Sequence, residues 1–413
     1  MEPPMRIAMV SEHASPLAAL GGEDAGGQNA HVAQLAAALA LQGHDVRVYT
    51  RRDDAHAPVA VPAGPGVEVV HVPAGPPEPL PKDALPPFMP VFARWLVGHW
   101  RADGWLPTAV HAHFWMSGLA AVDAARPLNL PVVLTYHALG SVKRRHQGTR
   151  DTSPADRIDR ERRLGRTVDR VVVQCRDEVD ELVRLGVPPA RLTLIPSGVD
   201  ERRFHPDGPA APRATGRPRV LSVGRLVERK GFADLVHAMR DIPDAECVIV
   251  GGPLGSELDA HPYARELREL AARLGLADRV TLVGGIATDA MPDWYRSADV
   301  LAAAPWYEPF GLTPIEAMAC GVPVVGTAVG GLRDTVHNAV TGHLVPPRDP
   351  GALAAALRDL LAHPARRDAY ALAARNRVVR RYSWRRAASD HAALYAAVRR
   401  PSTVTAQREA VVR

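Results

Sequence analysis

Short apolar runs recur along the chain, with longer amphipathic or polar stretches between them. The first run is Arg6-Ile7-Ala8-Met9-Val10-Ser11, which reads as a strand. A loop containing Gly21, Gly22, Gly26 and Gly27 follows. From Gln28 to Leu41, apolar residues fall at Ala30, Val32, Ala33, Leu35, Ala36 and Leu39, the spacing of one helix face. Gly43 is placed to end that helix, and Asp45–Thr50 reads as the next strand. Strand, glycine loop, helix, strand is one βαβ unit of a parallel sheet. Further apolar runs at Val67–Val72, Ala109–His111, Val132–Thr135, Val171–Cys175 and Leu192–Ile195 extend the series. The N-terminal half is therefore expected to be a doubly wound α/β domain.

The stretch Asp207–Pro218, DGPAAPRATGRP, has no apolar periodicity and is rich in Pro, Gly and Ala, as expected of a linker. A second alternating series follows. Its strands are expected at Arg219–Gly224, Cys247–Gly251, Val280–Val283, Val300–Ala303 and Pro323–Gly326. Its helices are expected near Phe232–Arg240, Pro262–Leu274, Asp289–Arg296, Pro314–Ala319 and Gly351–Leu361, then about Ala365–Arg381 and Trp384–Arg399. The expected organisation is a first Rossmann-like domain over 1–206, rejoined by the helix at 384–399, and a second over 217–383. Residues 400–413 read as a frayed tail. Two such domains form a cleft, and ligands of these sheets bind at the C-terminal ends of the strands.

Composition narrows the setting. The chain has 413 residues, enough for two or three domains, and is 46% hydrophobic and 23% charged, the balance of a soluble globular protein. No run of ~20 apolar residues occurs, so no spanning helix is expected. The N-terminus, Met1-Glu2-Pro3-Pro4, lacks a secretory pattern. Cys175, Cys247 and Cys320 form no C-x-x-C pair and read as buried free thiols in a reducing, cytoplasmic setting. The net charge of +5 suits nucleic acid, an anionic membrane surface or small anionic substrates alike. Aromatic residues make up only 5%, poor for base stacking, and no nucleic-acid motif is present, so no nucleic-acid partner is expected. The chain's only lysines are Lys82, Lys143 and Lys230.

Four segments carry candidate chemistry. In Glu308-Pro309-Phe310-Gly311-Leu312-Thr313-Pro314-Ile315-Glu316, two glutamates stand eight apart where a strand gives way to a helix. Thr313 suits an N-cap and Pro314 the first helical position, so Glu316 is expected to complete a capping box. That explains neither Glu308 nor Gly311. The amides of Phe310, Gly311, Leu312 and Thr313 would leave a helix N-terminus open to anionic or hydroxyl oxygens. In Gly224-Arg225-Leu226-Val227-Glu228-Arg229-Lys230-Gly231, three cations, Arg225, Arg229 and Lys230, follow the first strand of the second series, a cluster suited to anionic groups. The loop Gly21–Asn29 lets backbone approach a ligand closely. His137, in Thr135-Tyr136-His137-Ala138-Leu139-Gly140, and the pair His111-Ala112-His113 follow strand ends. The pair has no third ligand within sequence reach, so no metal is expected there.

Taken together, these motifs resemble the retaining GT-B glycosyltransferases of the glycosyltransferase 4 family, and the resemblance runs from about Met5 to Arg399. It implies that Glu308 sits beside the donor sugar and that Glu316 holds the nucleotide ribose. It also implies that Arg225 and Lys230 bind the donor diphosphate, next to Gly224. Gly26 and Gly27, in Asp24-Ala25-Gly26-Gly27-Gln28-Asn29, are similar to the glycine loop of the sucrose-phosphate-synthase and mycothiol-type branches and imply donor or phosphate contact. His137 matches the family's T-x-H histidine near the sugar.

On the acceptor side, Lys82 aligns with an inositol-phosphate-binding lysine of the mycothiol-type branch, and Arg157 or Arg160 falls where that branch has its second cation. Phe114 stands where that branch has a tyrosine, and Ala138 where it has a threonine. Both changes delete a hydroxyl and count against inositol phosphate itself. Lys143-Arg144-Arg145-His146 reads as a solvated loop or as a phosphate or membrane contact; its surroundings are similar to the sucrose-phosphate-synthase H-x-L-G-x-x-K.

The implied activity is retaining, metal-independent hexosyl transfer with no cofactor, and no D-x-D occurs to hold a metal. The implied donor is a UDP-sugar, UDP-glucose or UDP-N-acetylglucosamine. The implied acceptor is a small cyclitol, aminocyclitol or sugar phosphate. A sugar phosphorylase or nucleotide-sugar epimerase on the same fold, or a non-enzymatic polyanion-binding protein, are the alternatives, and a homodimer stays open.

Overall fold

The computed structural model describes residues 4–17, 26–213 and 216–399. Gly21, Gly22 and the rest of that glycine loop as far as Ala25, and the expected tail 400–413, lie outside the described residues. Strands β1 (Arg6–Val10), β2 (Asp45–Arg51), β3 (Ala60–Pro62), β4 (Val67–Val72), β5 (Ala109–His113), β6 (Val132–Thr135), β7 (Arg170–Val173) and β8 (Leu192–Leu194) form the first sheet, in the order β3-β4-β2-β1-β5-β6-β7-β8. Every pairing is parallel except β3 with β4. The second sheet contains β9 (Arg219–Val223), β10 (Glu246–Val250), β11 (Val280–Gly284), β12 (Val300–Ala303), β13 (Val324–Thr327) and β14 (Gly342–Val345). Its order is β11-β10-β9-β12-β13-β14, all parallel.

Parallel strands are covered on both faces, which is why they read as short continuous apolar runs. In β1, Ile7 and Met9 join the core formed with Val32, Leu35 and Leu39 of the helix Gly27–Leu41, while Ala8 and Val10 join the opposite core with Phe92 and Trp100. This is the period-two alternation of a strand buried on both sides. The last helix, Trp384–Val398, packs Trp384, Ala388 and Tyr395 into the first-domain core. No helix among the described residues is long and apolar enough to cross a membrane.

The chain order reverses between β1 and β5 in the first sheet and between β9 and β12 in the second. These switch points open crevices at the strand ends, and the candidate motifs lie there.

Several expectations need amending. The chain enters the second domain earlier than the Pro/Gly/Ala stretch suggested. Val199 and Phe204 already pack in its core, and Val199 pairs with Ser383, so the two crossings run side by side. Within Asp207–Pro218, Ala211 is buried and its amide donates to the Asp293 carbonyl at 2.9 Å, so the described part is held against the second domain. Its lack of periodicity reflects an irregular packed segment. The Lys143–His146 run lies in a helix, Gly140–Gln147, and not in a loop. Lys143 pairs with Asp151 at 3.0 Å and Arg145 with Glu181 at 2.7 Å.

Candidate active site

The second-domain wall is built at the ends of β9 and β12. Gly231 has φ +71°, and a Cβ there would stand 1.9 Å from the Ala304 carbonyl oxygen. Only glycine permits that approach, and it brings Lys230 against the loop after β12. Lys230 Nζ donates to Glu308 Oε2 at 2.5 Å. Burial raises the Glu308 carboxyl, but the Lys230 ammonium and then Arg229 outweigh it and hold it below its usual range. Burial, opposed by Glu308, lowers Lys230.

Glu308 is also gripped through its backbone. The Gly331 amide donates to its carbonyl at 2.9 Å, and a Cβ on Gly330, at φ +44°, would stand 2.1 Å from the same oxygen. Arg225, after β9, is exposed on the cleft side.

The helix carrying Glu316 spans Leu312–Ala319, and its N-cap is Gly311, at φ +95°. The expected capping box therefore does not form. With Gly311 in the cap position the helix starts ahead of Thr313, so Thr313 and Pro314 lie inside its first turn. Glu316 accepts instead from the Tyr295 hydroxyl at 2.6 Å. Burial pushes Glu316 up, against the Tyr295 bond. Phe310 is buried under Gly331, and Thr313 faces a small pocket shared with Lys230 and Glu308.

The first-domain wall comes from the ends of β5 and β6. Phe114 and His137 both hold positive φ, 88° and 59°. Such non-glycine conformations cost ~1–3 kcal/mol each and concentrate at functional sites. Lys82 and Arg157 stand over the Phe114 ring, 5.6 Å and 5.0 Å from its centre. Arg157 is almost wholly buried. Its Nε donates to Glu161 Oε1 at 2.8 Å, and its other nitrogens reach the Ala138 carbonyl at 2.7 Å and Ser153 Oγ at 3.1 Å. Arg160 pairs with Asp156 above Trp115, outside the cavity. The two helical faces thus separate the candidates, and Arg157 is the one that lines the cleft.

A cavity of about 940 Å³ joins the walls, with Lys82, Phe114, His137 and Arg157 on one side and Arg225 and Glu308 on the other. Glu316 does not line it; the helix Leu312–Ala319 places that side chain beside Tyr295. Gly26 caps the helix Gly27–Leu41, and its amide donates to Asn29 Oδ1 at 3.0 Å. A Cβ on Gly26 would meet the Arg225 guanidinium at 3.9 Å, and one on Gly27 would meet Leu312 at 3.5 Å. The first domain's helix N-terminus therefore abuts both second-domain motifs. Across the cleft, His146 stacks on Tyr307 with ring centres 4.7 Å apart, and Gln147 donates to the Tyr307 hydroxyl at 3.2 Å.

Sequence reasoning passed over several residues here. Arg229 was visible inside the G-R-x4-K-G segment, and Gly330-Gly331 as a glycine pair after a strand. Tyr307 and Arg333, which also line the cavity, carried no local signal. The histidine pair also gains neighbours from other elements. His113 Nδ1 lies 3.0 Å from His137 Nε2, and His31, from the helix Gly27–Leu41, packs against both rings. Partners beyond sequence reach are supplied by the fold.

Chemically, the arrangement offers fixed cations beside an ionised carboxylate, facing a second cationic patch across one cavity. Two Rossmann-like domains facing across such a cleft make the GT-B fold. The profile of Glycosyltransferase Family 4 matches residues 25–203, and that of Glycosyl transferases group 1 matches residues 208–377. The chain is 39% identical to a D-inositol 3-phosphate glycosyltransferase of Xylanimonas cellulosilytica, over 96% of this chain and 98% of that one. It is also 39% identical to a protein of the same name from Mycolicibacterium vanbaalenii, over 87% and 83% of the two chains. Among solved structures it resembles sucrose-phosphate synthase from Thermosynechococcus elongatus, with a TM-score of 0.85, 34% identity and coverage of 95% and 98%. The chain belongs to the group 1, family 4 glycosyltransferases.

Proposed function

We propose that this glycosyltransferase moves a hexose, with retention of anomeric configuration, from a UDP-sugar to a small phosphorylated polyhydroxy acceptor. The donor sugar is glucose or N-acetylglucosamine, and the acceptor is a cyclitol phosphate or sugar phosphate. The observation that carries this reading is the pairing of two cationic patches across one cavity: Arg225, Arg229 and Glu308, with Lys230 bonded to Glu308 behind the wall, on one side, and Lys82 and Arg157 around Phe114 on the other. The relatives' names support the acceptor class.

In this reading Arg225 and Lys230 stabilise the charge that grows on the departing diphosphate, a task that needs no metal. Glu308, held ionised by Lys230, is committed to positioning, and so it is a poor nucleophile. The acceptor hydroxyl attacks the anomeric carbon from the leaving-group side. The carbon–oxygen bond to the diphosphate breaks, and a diphosphate oxygen takes the acceptor proton. His137 faces the sugar, Gly26 and Gly27 close over the phosphates, and Glu316 meets the ribose hydroxyls after a small movement of its helix. Phe114 and Ala138 supply no hydroxyl, and Arg157 is already paired with Glu161. Those observations favour a second reading, in which the acceptor is a neutral cyclitol or an aminocyclitol.

A thermal-shift screen of nucleotides and nucleotide-sugars, followed by an acceptor panel, tests both. At 100 times Kd the true donor adds ~2.7 kcal/mol of stability. Phosphorylated acceptors should outperform neutral ones, and Lys82→Ala should abolish that advantage. If neither holds, the second reading replaces the first. An anomeric NMR assay that shows inversion refutes the mechanism.

A further inference from the structure

Three imidazoles from three separate elements converge on the first-domain floor of the cleft. His31 comes from the helix Gly27–Leu41, His113 from the end of β5, and His137 from the loop after β6. One ring nitrogen of each lies within 4.8 Å of one from both others. The ring centres are 4.9 Å apart for His31–His137, 5.2 Å for His113–His137 and 5.7 Å for His31–His113. Three imidazoles held tetrahedrally at ~2.0–2.1 Å from one ion place their ligating nitrogens ~3.3 Å apart and their ring centres ~5.2 Å apart. His113 Nδ1 and His137 Nε2 are already 3.0 Å apart.

The surroundings favour ligation. His31 Nδ1 lies 2.7 Å from Ser197 Oγ and 3.1 Å from Gln174 Nε2, which also donates to Ser197 Oγ at 2.8 Å. That leaves His31 Nε2, which is buried and has no hydrogen-bond partner. A ring fixed through one nitrogen and open at the other is the outer-shell arrangement of metal-binding histidines. The adjacent His111 has both nitrogens engaged, by Tyr395 and Thr135. His137 is partly exposed and lines the cavity, which gives an ion a route in.

We propose that His31, His113 and His137 form a three-histidine site for a divalent transition ion of the zinc or cobalt class, and that an ion bound there inhibits transfer by withdrawing His137 from the donor sugar. Imidazole ligands select this class over magnesium or calcium. The inhibitory half rests on the function proposed above; the site itself does not.

The test separates the two. Metal-free full-length protein is titrated with Co²⁺ and Zn²⁺ without substrate, by calorimetry and by the visible absorption of Co²⁺. The expected result is one equivalent bound, with the intense spectrum of a four-coordinate ion. Ser197→Ala, which keeps all three ligands, should weaken binding ~10–100-fold, and His31→Gln by more than that. No stoichiometric binding, a pale six-coordinate spectrum, or unchanged affinity in Ser197→Ala overturns the site. Zn²⁺ should inhibit transfer over the same concentration range in which it binds, reversibly by chelator. Binding without inhibition overturns the inhibitory role and removes His137 from the donor, while the site stands.

Discussion

Lys230→Ala perturbs two properties that the structure ties together, and their sizes can be separated. The Lys230 and Glu308 side chains are 18% and 16% exposed and meet at 2.5 Å. Breaking a fully buried pair on one side costs ~3–5 kcal/mol, because the remaining charge has no compensation. Here the residual exposure and the positive field of Arg229 and Arg225 soften that cost. A lost hydrogen bond to a charged group, ~1.5–3 kcal/mol, is the better guide. For a domain of ~150–250 residues, 1 kcal/mol moves Tm by ~2–4 °C, so a loss near 2 kcal/mol lowers it by ~4–8 °C.

Turnover should fall further in proportion, by ~10²–10³, the loss seen when a donor to developing negative charge is removed. The pH dependence has a definite sign. The folded-state pKa of Glu308 is depressed, so the pair's contribution is present above the unfolded carboxylate value of 4.5 and is lost as pH falls through the lower folded value. The Tm gap between wild type and variant should therefore close in acid. Calorimetry across pH, with initial rates of nucleoside-diphosphate release measured well below Tm, reads both effects. Near-normal turnover in a folded Lys230→Ala protein refutes the leaving-group assignment. An unchanged Tm refutes the energetic reading of the pair.

Arg225→Ala, which removes an exposed side chain, should lower turnover similarly with little change in Tm, as calorimetry and rates together will show. Glu316→Gln should weaken nucleotide binding ~10-fold by calorimetry, about the loss of one charge-assisted bond. Because burial raises Glu316, wild-type affinity should begin to fall, as the solution is acidified, at a higher pH than an ordinary carboxylate would allow. Desolvation lowers the half-buried His137 to about 3 and the fully buried His391 to about 4, so their stabilising contribution is complete above the unfolded value of 6.5 and declines toward those folded values. Each should cost ~1.4 kcal/mol per pH unit in that window, and His391→Leu should remove about one proton from the pH slope of urea unfolding. Gly330→Ala forces a Cβ to 2.1 Å from the Glu308 carbonyl at φ +44°, so activity should drop more than ~10-fold and stability by ~1–3 kcal/mol. EDTA should leave transfer intact or raise it; loss restored by Mg²⁺ or Mn²⁺ would contradict cationic stabilisation by protein groups alone.

Much of the fold was legible from local pattern. Val67–Val72, Val132–Thr135 and Val300–Ala303 coincide with β4, β6 and β12, because strands buried on both faces leave short apolar runs that need no tertiary information to find. Three short or polar elements behaved differently. The strand β14, Gly-His-Leu-Val, and the edge strand β3 carry too little hydrophobic contrast to be recognised alone. The helix Gly140–Gln147 is almost entirely polar, and its basic residues are neutralised by Asp151 and Glu181 from other elements.

The site divides along the same line. Glu308, Arg225, Lys230 and His137 stood out because turn residues and charges at strand ends are local signals. Their geometry was not local. Lys230 and Glu308 are 78 residues apart, and only the packing of β9 beside β12 brings them to 2.5 Å. Arg157 and Arg160 are three apart on one helix, and which of them enters the cavity depends on how that helix is rotated against Phe114 and Glu161. The backbone conformation of Gly311 decided the fate of Glu316, since a cap ahead of Thr313 turns the carboxylate toward Tyr295. His31 carries no local signal, and only the fold brings its ring against His113 and His137 at the ends of β5 and β6. Periodicity and turn chemistry are set within a few residues, so the sequence determines elements and candidate groups. Distances between groups on different elements are set by stacking, which only the tertiary structure decides.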